Sequence, residues 1–269
     1  MTKAVILARG LGTRMRHPDA GAPLDEGQAR AADRGVKGMI PIGRPFLDYL
    51  LSALADAGFT DACLVIGPEH QAVRDYYETP GRSTRIRVHF AVQESPLGTA
   101  DAVLAAEDFA GSELFLVCNA DNYYSVAVLS ALRHLREPGL AGFDREALIQ
   151  RGNIPAERIN QFAMVAASPD GFLVAIAEKP DGATASALGS HARVSMNCWV
   201  FGPGIFQACR LVSPSPRGEL EIQDAVRISI TRLGGRFRVV PVEDGVLDLS
   251  TRGDIAAVAA RLASVEPRP

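Results

Sequence analysis

Residues 4–16 read Ala4-Val-Ile-Leu-Ala8 followed by Arg9-Gly-Leu-Gly-Thr-Arg-Met-Arg16. Five apolar residues without polar alternation form the pattern of a strand covered on both faces, as in a sheet layered by helices. The run empties into a turn whose glycines, Gly10 and Gly12, let the backbone bend sharply and bring N–H groups close to an anion. Arg14 and Arg16 in the same turn add fixed positive charge suited to phosphate oxygens. A plain strand-to-helix turn with solvated arginines is the alternative, and the paired arginines favour the anion site.

Downstream the strand and helix rhythm repeats. Pro45 opens a helical stretch to about Ala57, with Phe46, Leu47, Leu50, Leu51 and Leu54 at helical spacing and Gly58 suited to the stop. Ala62–Ile66 is a second buried strand, Glu69–Tyr77 a helix and Ile86–Val92 a third strand. Ala100–Glu107 follows as a helix and Leu114–Cys118 as a fourth strand. This order predicts an α/β, three-layer domain around a mainly parallel sheet with right-handed crossovers. After about Pro138 the rhythm changes. Phe162–Ala167, the Ser168-Pro-Asp-Gly171 turn and Phe172–Ala177 read as a β-hairpin. Val194–Phe201 is a further strand, Pro203–Leu211 and Ile222–Leu233 are helical, and Arg236–Val242 is a late strand. The last helix is expected to start with a capping box, Thr251 as N-cap and Asp254 answering it. No linker or internal repeat divides the chain, so one domain is expected over 1–269, with halves at about 1–138 and 139–269.

The 269 residues are 47% hydrophobic and 22% charged with a formal net charge of −3, which excludes disordered and collagen-like classes. So mild a charge gives no general attraction to nucleic acid or anionic lipid, and neither is expected as a partner. Ala4–Ala8 is too short for a signal-peptide core and no run of eighteen apolar residues occurs, so a cytoplasmic location is the expectation. Cys63, Cys118, Cys198 and Cys209 lie mostly in apolar runs without a C-x-x-C pair and read as buried thiols. The five histidines lack zinc-ligand spacing.

Other phosphate and nucleophile motifs fail on inspection. Met15 stands where a dinucleotide fingerprint needs its third glycine. Gly38-Met-Ile-Pro-Ile-Gly43 has P-loop spacing, but Arg44-Pro45 follows where Lys-Ser/Thr is required. No G-x-S-x-G elbow occurs.

The first run, followed by Lys37-Gly-Met-Ile-Pro-Ile-Gly-Arg-Pro45, resembles the sugar-1-phosphate nucleotidylyltransferases, which carry G-x-G-T-R and then K-x-x-L-P. Gln93-Glu-Ser-Pro-Leu-Gly-Thr-Ala100 is similar to the family's Q-x-x-P-L-G-T-A segment, and Asn119-Ala-Asp-Asn122 stands at its G-D metal motif. Glu178-Lys-Pro180, Met196-Asn197, Gly218-Glu-Leu-Glu-Ile-Gln-Asp224 and Leu247-Asp248 follow in family order. Seven motifs in order over nearly the whole chain make the resemblance specific.

The resemblance implies a Rossmann-like fold, with a nucleotide-binding first half and a sugar-phosphate-binding second half that holds the hairpin. It implies transfer of a nucleotidyl group from a nucleoside triphosphate to a sugar 1-phosphate, releasing pyrophosphate. Such in-line attack on the α-phosphorus depends on positioning and charge neutralisation, and needs no protein nucleophile. By match to the motifs, Arg14 would hold the β- and γ-phosphates, Lys37 the region of the α-phosphate, and Lys179 the sugar phosphate, with Arg16 a lesser candidate. Gly10, Gly12, Thr13, Gln93, Gly98 and Thr99 would form the nucleotide site, Gln93, Gly98 and Gly10 contacting the base. Glu178 and Asn197 would contact sugar hydroxyls. Asp121 and Asp248, both just after apolar strands at the ligand-binding edge of the sheet, would hold Mg²⁺, with Thr251 capping the last helix and leaving Asp248 free. A homo-oligomer is expected from the same resemblance.

Three features depart from the family pattern. Arg9 stands in place of the usual glycine. The His17–Val36 segment is long and is expected to form a helical lid or a partner contact, and Gly142–Asn160, a second unusual stretch before the hairpin, is expected to alter the acceptor pocket or the oligomer surface. Two rival readings are a non-catalytic nucleotide-sugar-binding regulator and a nucleotide-sugar-dependent glycosyltransferase. The second usually carries D-x-D, where this chain has Asn119-Ala-Asp121.

Overall fold

The computed structural model describes residues 1–19 and 21–269. The first half runs β1 (Lys3–Leu7), α1 (Thr13–Arg16), α2 (Glu26–Arg34), the short ribbon β2 (Pro41–Ile42) and β3 (Arg44–Pro45), and α3 (Phe46–Asp56). It continues through β4 (Asp61–Ile66), α4 (Gln71–Glu78), β5 (Arg87–Val92), α5 (Thr99–Ala105), α6 (Glu107–Ala110) and β6 (Phe115–Asn119). After β7 (Asn122–Tyr124) and α7 (Val126–Arg133) come β8 (Gly139–Phe143), α8 (Arg145–Arg151), β9 (Ala163–Ala167) and β10 (Leu173–Ala177). The chain closes with α9 (Gly182–Ala187), β11 (Arg193–Phe201), α10 (Gly204–Arg210), α11 (Ile222–Leu233), β12 (Arg238–Val242), β13 (Val246–Asp248) and α12 (Asp254–Leu262).

Strands β6, β1, β4 and β5 lie side by side and wholly parallel. Ala4 and Ile6 point into one hydrophobic cluster and Val5 into the opposite one, which is why the opening run shows no polar alternation. The remaining strands join this sheet through β11, giving the order β10-β9-β11-β6-β1-β4-β5, with β8 and β12 added beyond β11. The Ser168–Gly171 turn joins β9 and β10 as the expected antiparallel hairpin.

Strand β11 decides the shape of the second half. Val200 pairs with Leu116 of β6 and with Gly139 of β8, while Val194 pairs with Met164 of β9 and with Phe143 of β8. β8 therefore takes one whole edge of β11, and β6 and β9 share the other. The register breaks between Ser195 and Trp199, and Asn197 adopts φ 52° at the break. The sheet forks there, and the gap opens between the C-terminal end of β6 and the start of β9. Just past the break Trp199 is buried and stacks on Phe201 with centroids 5.6 Å apart.

Two expectations need correction. Asp248 does not end a strand of the main sheet. It closes β13, which pairs only with β7 in a separate two-stranded ribbon. The capping box at α12 is only half formed, because Thr251 Oγ1 donates to Asp254 Oδ2 instead of capping the helix. That same carboxylate oxygen also accepts from the backbone N–H groups of Ser250 and Thr251.

The long segment after Arg16 contains α2, with a complete capping box between Asp25 and Gln28; Ala20 lies outside the described residues. Helix α2 is tied down at several points. Gln28 Nε2 donates to the Pro41 carbonyl, Arg16 donates to the Arg34 carbonyl, and Asp33 pairs with Arg252. A Cβ on Gly12, at φ 62°, would lie 2.2 Å from the carbonyl oxygen of Gly35, which ends α2. The segment expected as a lid thus packs backbone to backbone against the glycine turn.

All four cysteines are free and buried, and burial pushes the thiols of Cys63, Cys118 and Cys209 up to about 12. Helix α3 carries a fully buried Asp48 that accepts from Tyr76 Oη at 2.9 Å and Tyr77 Oη at 2.8 Å and pairs with Arg44 at 2.7 Å. Removing one partner of such a buried set strands the others without hydrogen bonds. Asp48→Ala is expected to lower stability by about 3–5 kcal/mol in denaturant titration, and a loss below 1 kcal/mol would show the cluster to be dispensable. Gly12→Ala is expected to lower Tm and expose the α2 segment to protease, because both its positive φ and the Gly35 backbone oppose a side chain.

Candidate active site

Two cavities open along the C-terminal ends of the parallel strands and at the fork. The first, about 360 Å³, lies over the glycine turn between β1 and α1. The second, about 250 Å³, occupies the gap between β6 and β9. Arg14, Thr99, Asn119, Asp121 and Glu219 line both, so the two adjoin.

Apart from the lesser candidate Arg16, which lines neither cavity and donates to the Arg34 carbonyl, the residues assigned to the site from the sequence line one cavity or both. Gly10, Gly12, Thr13, Lys37, Gln93 and Gly98 surround the first. Glu178, Lys179, Asn197 and Asp248 surround the second. Arg14, Thr99 and Asp121 stand at the junction. A Cβ on Gly10 would meet nothing within 4 Å, so its missing side chain leaves the first cavity open. Gly98, at φ 125°, is required sterically, because a Cβ there would come within 2.5 Å of the Leu220 carbonyl.

The polar groups differ in how far they are committed. Gln93 is buried, and its amide nitrogen donates to the Gly98 carbonyl at 3.0 Å and to Asp101 at 2.8 Å. Its amide oxygen has no hydrogen-bond partner among the described residues and remains an acceptor at the cavity wall. Thr99 Oγ1 accepts from the N–H of Ile222 at 2.9 Å and so anchors the start of α11. Asn197 Oδ1 accepts from Gln223. Arg9 also lines the first cavity, where it pairs with Glu69 at 3.3 Å and donates to the Gln93 carbonyl.

Arg14 and Lys179 are exposed and have no ion-pair partner among the described residues. Lys179 has φ 45°, and it and Asn197 are the only non-glycine residues with positive φ among those described. Both line the second cavity, and strained backbone of this kind persists where the surrounding structure holds it. Lys37, on the 3₁₀ turn Lys37–Met39, pairs with Asp121 at 2.7 Å.

Asp248 is buried. Asn122 Nδ2 donates to its Oδ1 at 2.9 Å, Arg158 donates to its Oδ2, and Asn153 brackets its backbone N–H and carbonyl. Burial and then the Asp121 charge push its carboxyl up, with Arg158 opposing. Burial and the Glu221 charge raise the Glu178 carboxyl, opposed by Lys179 and Arg217. Arg217 was missed in the sequence. It lies 2.8 Å from Glu221 and 3.6 Å from Glu178 in the wall of the second cavity. The signal available was its place directly before Gly218-Glu-Leu-Glu221. Arg158 was also missed, within the unusual 142–160 stretch.

Among the described residues no cluster of three or more His, Cys, Asp or Glu has metal-site geometry. Asp121, shared by both cavities, and Asp248, in the wall of the second, offer a pair of hard oxygen donors. No described helix is long and apolar enough to cross a membrane.

Comparison with known proteins agrees with this geometry. The chain is 27% identical over 248 residues to the UTP–glucose-1-phosphate uridylyltransferase AglF of Haloferax volcanii, covering 92% of this chain and 90% of that one. It is 31% identical over 231 residues to a glucose-1-phosphate thymidylyltransferase of Streptomyces griseus, covering 84% of this chain but only 56% of the relative. A crystal structure of UDP-glucose pyrophosphorylase complexed with UDP-glucose superposes with a TM-score of 0.74 at 19% identity, over 99% of this chain and all of that one. Likeness at that identity establishes the Rossmann-like fold. The nucleotidyl transferase family model matches residues 3–240, and the chain belongs to the nucleotidyl transferase family.

Proposed function

We propose that this chain transfers a nucleotidyl group from a pyrimidine nucleoside triphosphate to a sugar 1-phosphate, giving a nucleoside-diphosphate sugar and pyrophosphate. The observation that carries the reading is that the two cavities adjoin at Arg14 and Asp121, with exposed Lys179 lining the second alone. One cavity suits the triphosphate and the other the acceptor. The names of the relatives support both substrate classes.

The reacting oxygen belongs to the phosphate of the acceptor. It attacks the α-phosphorus, the new P–O bond forms, and the bond to the β-phosphate oxygen breaks as pyrophosphate leaves. Two anions must approach one another, so neutralisation is the main task. Arg14 faces the leaving phosphates, and Lys179 holds the acceptor phosphate. Lys37 releases Asp121 and moves onto the triphosphate. Glu178, Asn197 and Arg217 orient the sugar.

Asp121 and Asp248 fit Mg²⁺. They are hard oxygen donors, their mutual repulsion is relieved by a cation, and Mg²⁺ commonly takes one or two carboxylates, completing its shell with water and phosphates. Mg²⁺ bound there supplies positive charge to the phosphate oxygens.

Base preference follows from Gln93. With its nitrogen committed, its oxygen is what remains for the base, and an acceptor suits the N3–H of uracil or thymine but not the N3 of cytosine. Pyrophosphate release, assayed with UTP, dTTP, CTP and GTP against a panel of sugar 1-phosphates, tests the reading. UTP or dTTP should exceed CTP, and silence across the panel with Mg²⁺ would refute the activity. Lys179→Ala and Asp121→Asn should each lower turnover about a hundredfold or more, the typical worth of one electrostatic stabiliser. Near-native rates in either folded variant would overturn the corresponding role.

A further inference from the structure

The stretch between α8 and β9 ends in the 3₁₀ turn Ala156–Gln161, which carries Arg158 onto Asp248. One guanidinium nitrogen of Arg158 donates to Asp248 Oδ2 and another to Asp254 Oδ1 at 2.8 Å. Asp254 is itself held by the Ser250 and Thr251 N–H groups, so the guanidinium spans two fixed carboxylates. Its side chain is only 15% exposed.

Asp121 and Asp248, which both line the second cavity, thus each already carry a cation of the chain, Lys37 on Asp121 and Arg158 on Asp248. The two cations are not equivalent. Lys37 lines the first cavity and ends in a flexible stem, so it can follow an incoming phosphate. Arg158 lines neither cavity and is clamped on both sides by carboxylates. It is a fixed positive charge behind Asp248 that no substrate draws away.

We propose that Arg158 is a positioning residue that keeps Asp248 aimed at the second cavity and weakens the grip of the carboxylate pair on a free divalent cation. The cation is then held firmly only together with the phosphates of the nucleotide. This rests on the proposed metal role of Asp121 and Asp248. The physical basis is the repulsion between like charges a few ångströms apart, which is large where burial limits screening.

The test is Mn²⁺ binding followed by electron paramagnetic resonance, first without nucleotide and then with dTTP. Without nucleotide, Arg158→Gln should bind Mn²⁺ tighter by roughly tenfold, a modest share of the repulsion expected at this spacing. Arg158→Met should shift the same way and serves if the glutamine variant fails to fold. Arg158→Lys keeps the charge and should stay near the native affinity. Adding Asp248→Asn to Arg158→Gln should abolish the gain. If both neutral variants bind Mn²⁺ no tighter than the native chain, while Asp248→Asn weakens binding with dTTP, the role of Arg158 is overturned and the metal site stands. If neither Asp121→Asn nor Asp248→Asn changes Mn²⁺ binding with dTTP, the metal reading fails and the inference with it.

Discussion

One edge of the nine-residue strand β11 serves two partners, and its pairing with β8 along the other edge breaks between them. Strand β11 hydrogen-bonds β6 at one end and β9 at the other along the same edge, and the break falls at Asn197. The opening this creates is the second cavity. Because β6 ends there, the Asn119–Asp121 turn lies in the wall shared with the first cavity. Because β9 begins there, the 3₁₀ turn before it is brought against β13. The β7–β13 ribbon then sets Asp248 beside Asn122. The left-handed conformation of a non-glycine residue costs of order 1–3 kcal/mol, and the β8 pairs on either side of the break, at Ser195 and Trp199, hold it in place.

The site is organised by charge as much as by shape. Its cations divide into those held by carboxylates, Arg9, Lys37, Arg158 and Arg217, and those without a described ion-pair partner, Arg14 and Lys179. The held cations keep the acidic residues from repelling one another across the two cavities. The others face the space where anionic ligands would lie. A net charge of −3 over the chain hides this local separation.

What the sequence revealed was local. The apolar run at 4–8, the Pro45 and Gly58 limits of α3, and the Pro-Asp-Gly turn each depend on residues a few positions apart. Strand β8 was not legible. Gly139-Leu-Ala-Gly-Phe143 has poor strand propensity and is a strand only because it is sandwiched between β11 and β12. Its glycines are required by neighbours, since a Cβ on Gly139 would meet the Arg238 carbonyl at 2.5 Å. The motifs marked the residues that line the cavities but not their commitments. That Gln93 donates inward, that Asp248 sits on a ribbon outside the main sheet, and that Arg158 reaches it across ninety residues are products of tertiary packing. No spacing rule encodes them.

The break in β11 has a spectroscopic consequence. The single tryptophan of the chain, Trp199, lies two residues beyond Asn197 in a dry, aromatic environment shared with Phe201 and Phe237. Its emission should be blue-shifted in the native state and move to the red when the fold opens. With no second indole to dilute the signal, intrinsic fluorescence reports on the strand that lines the second cavity.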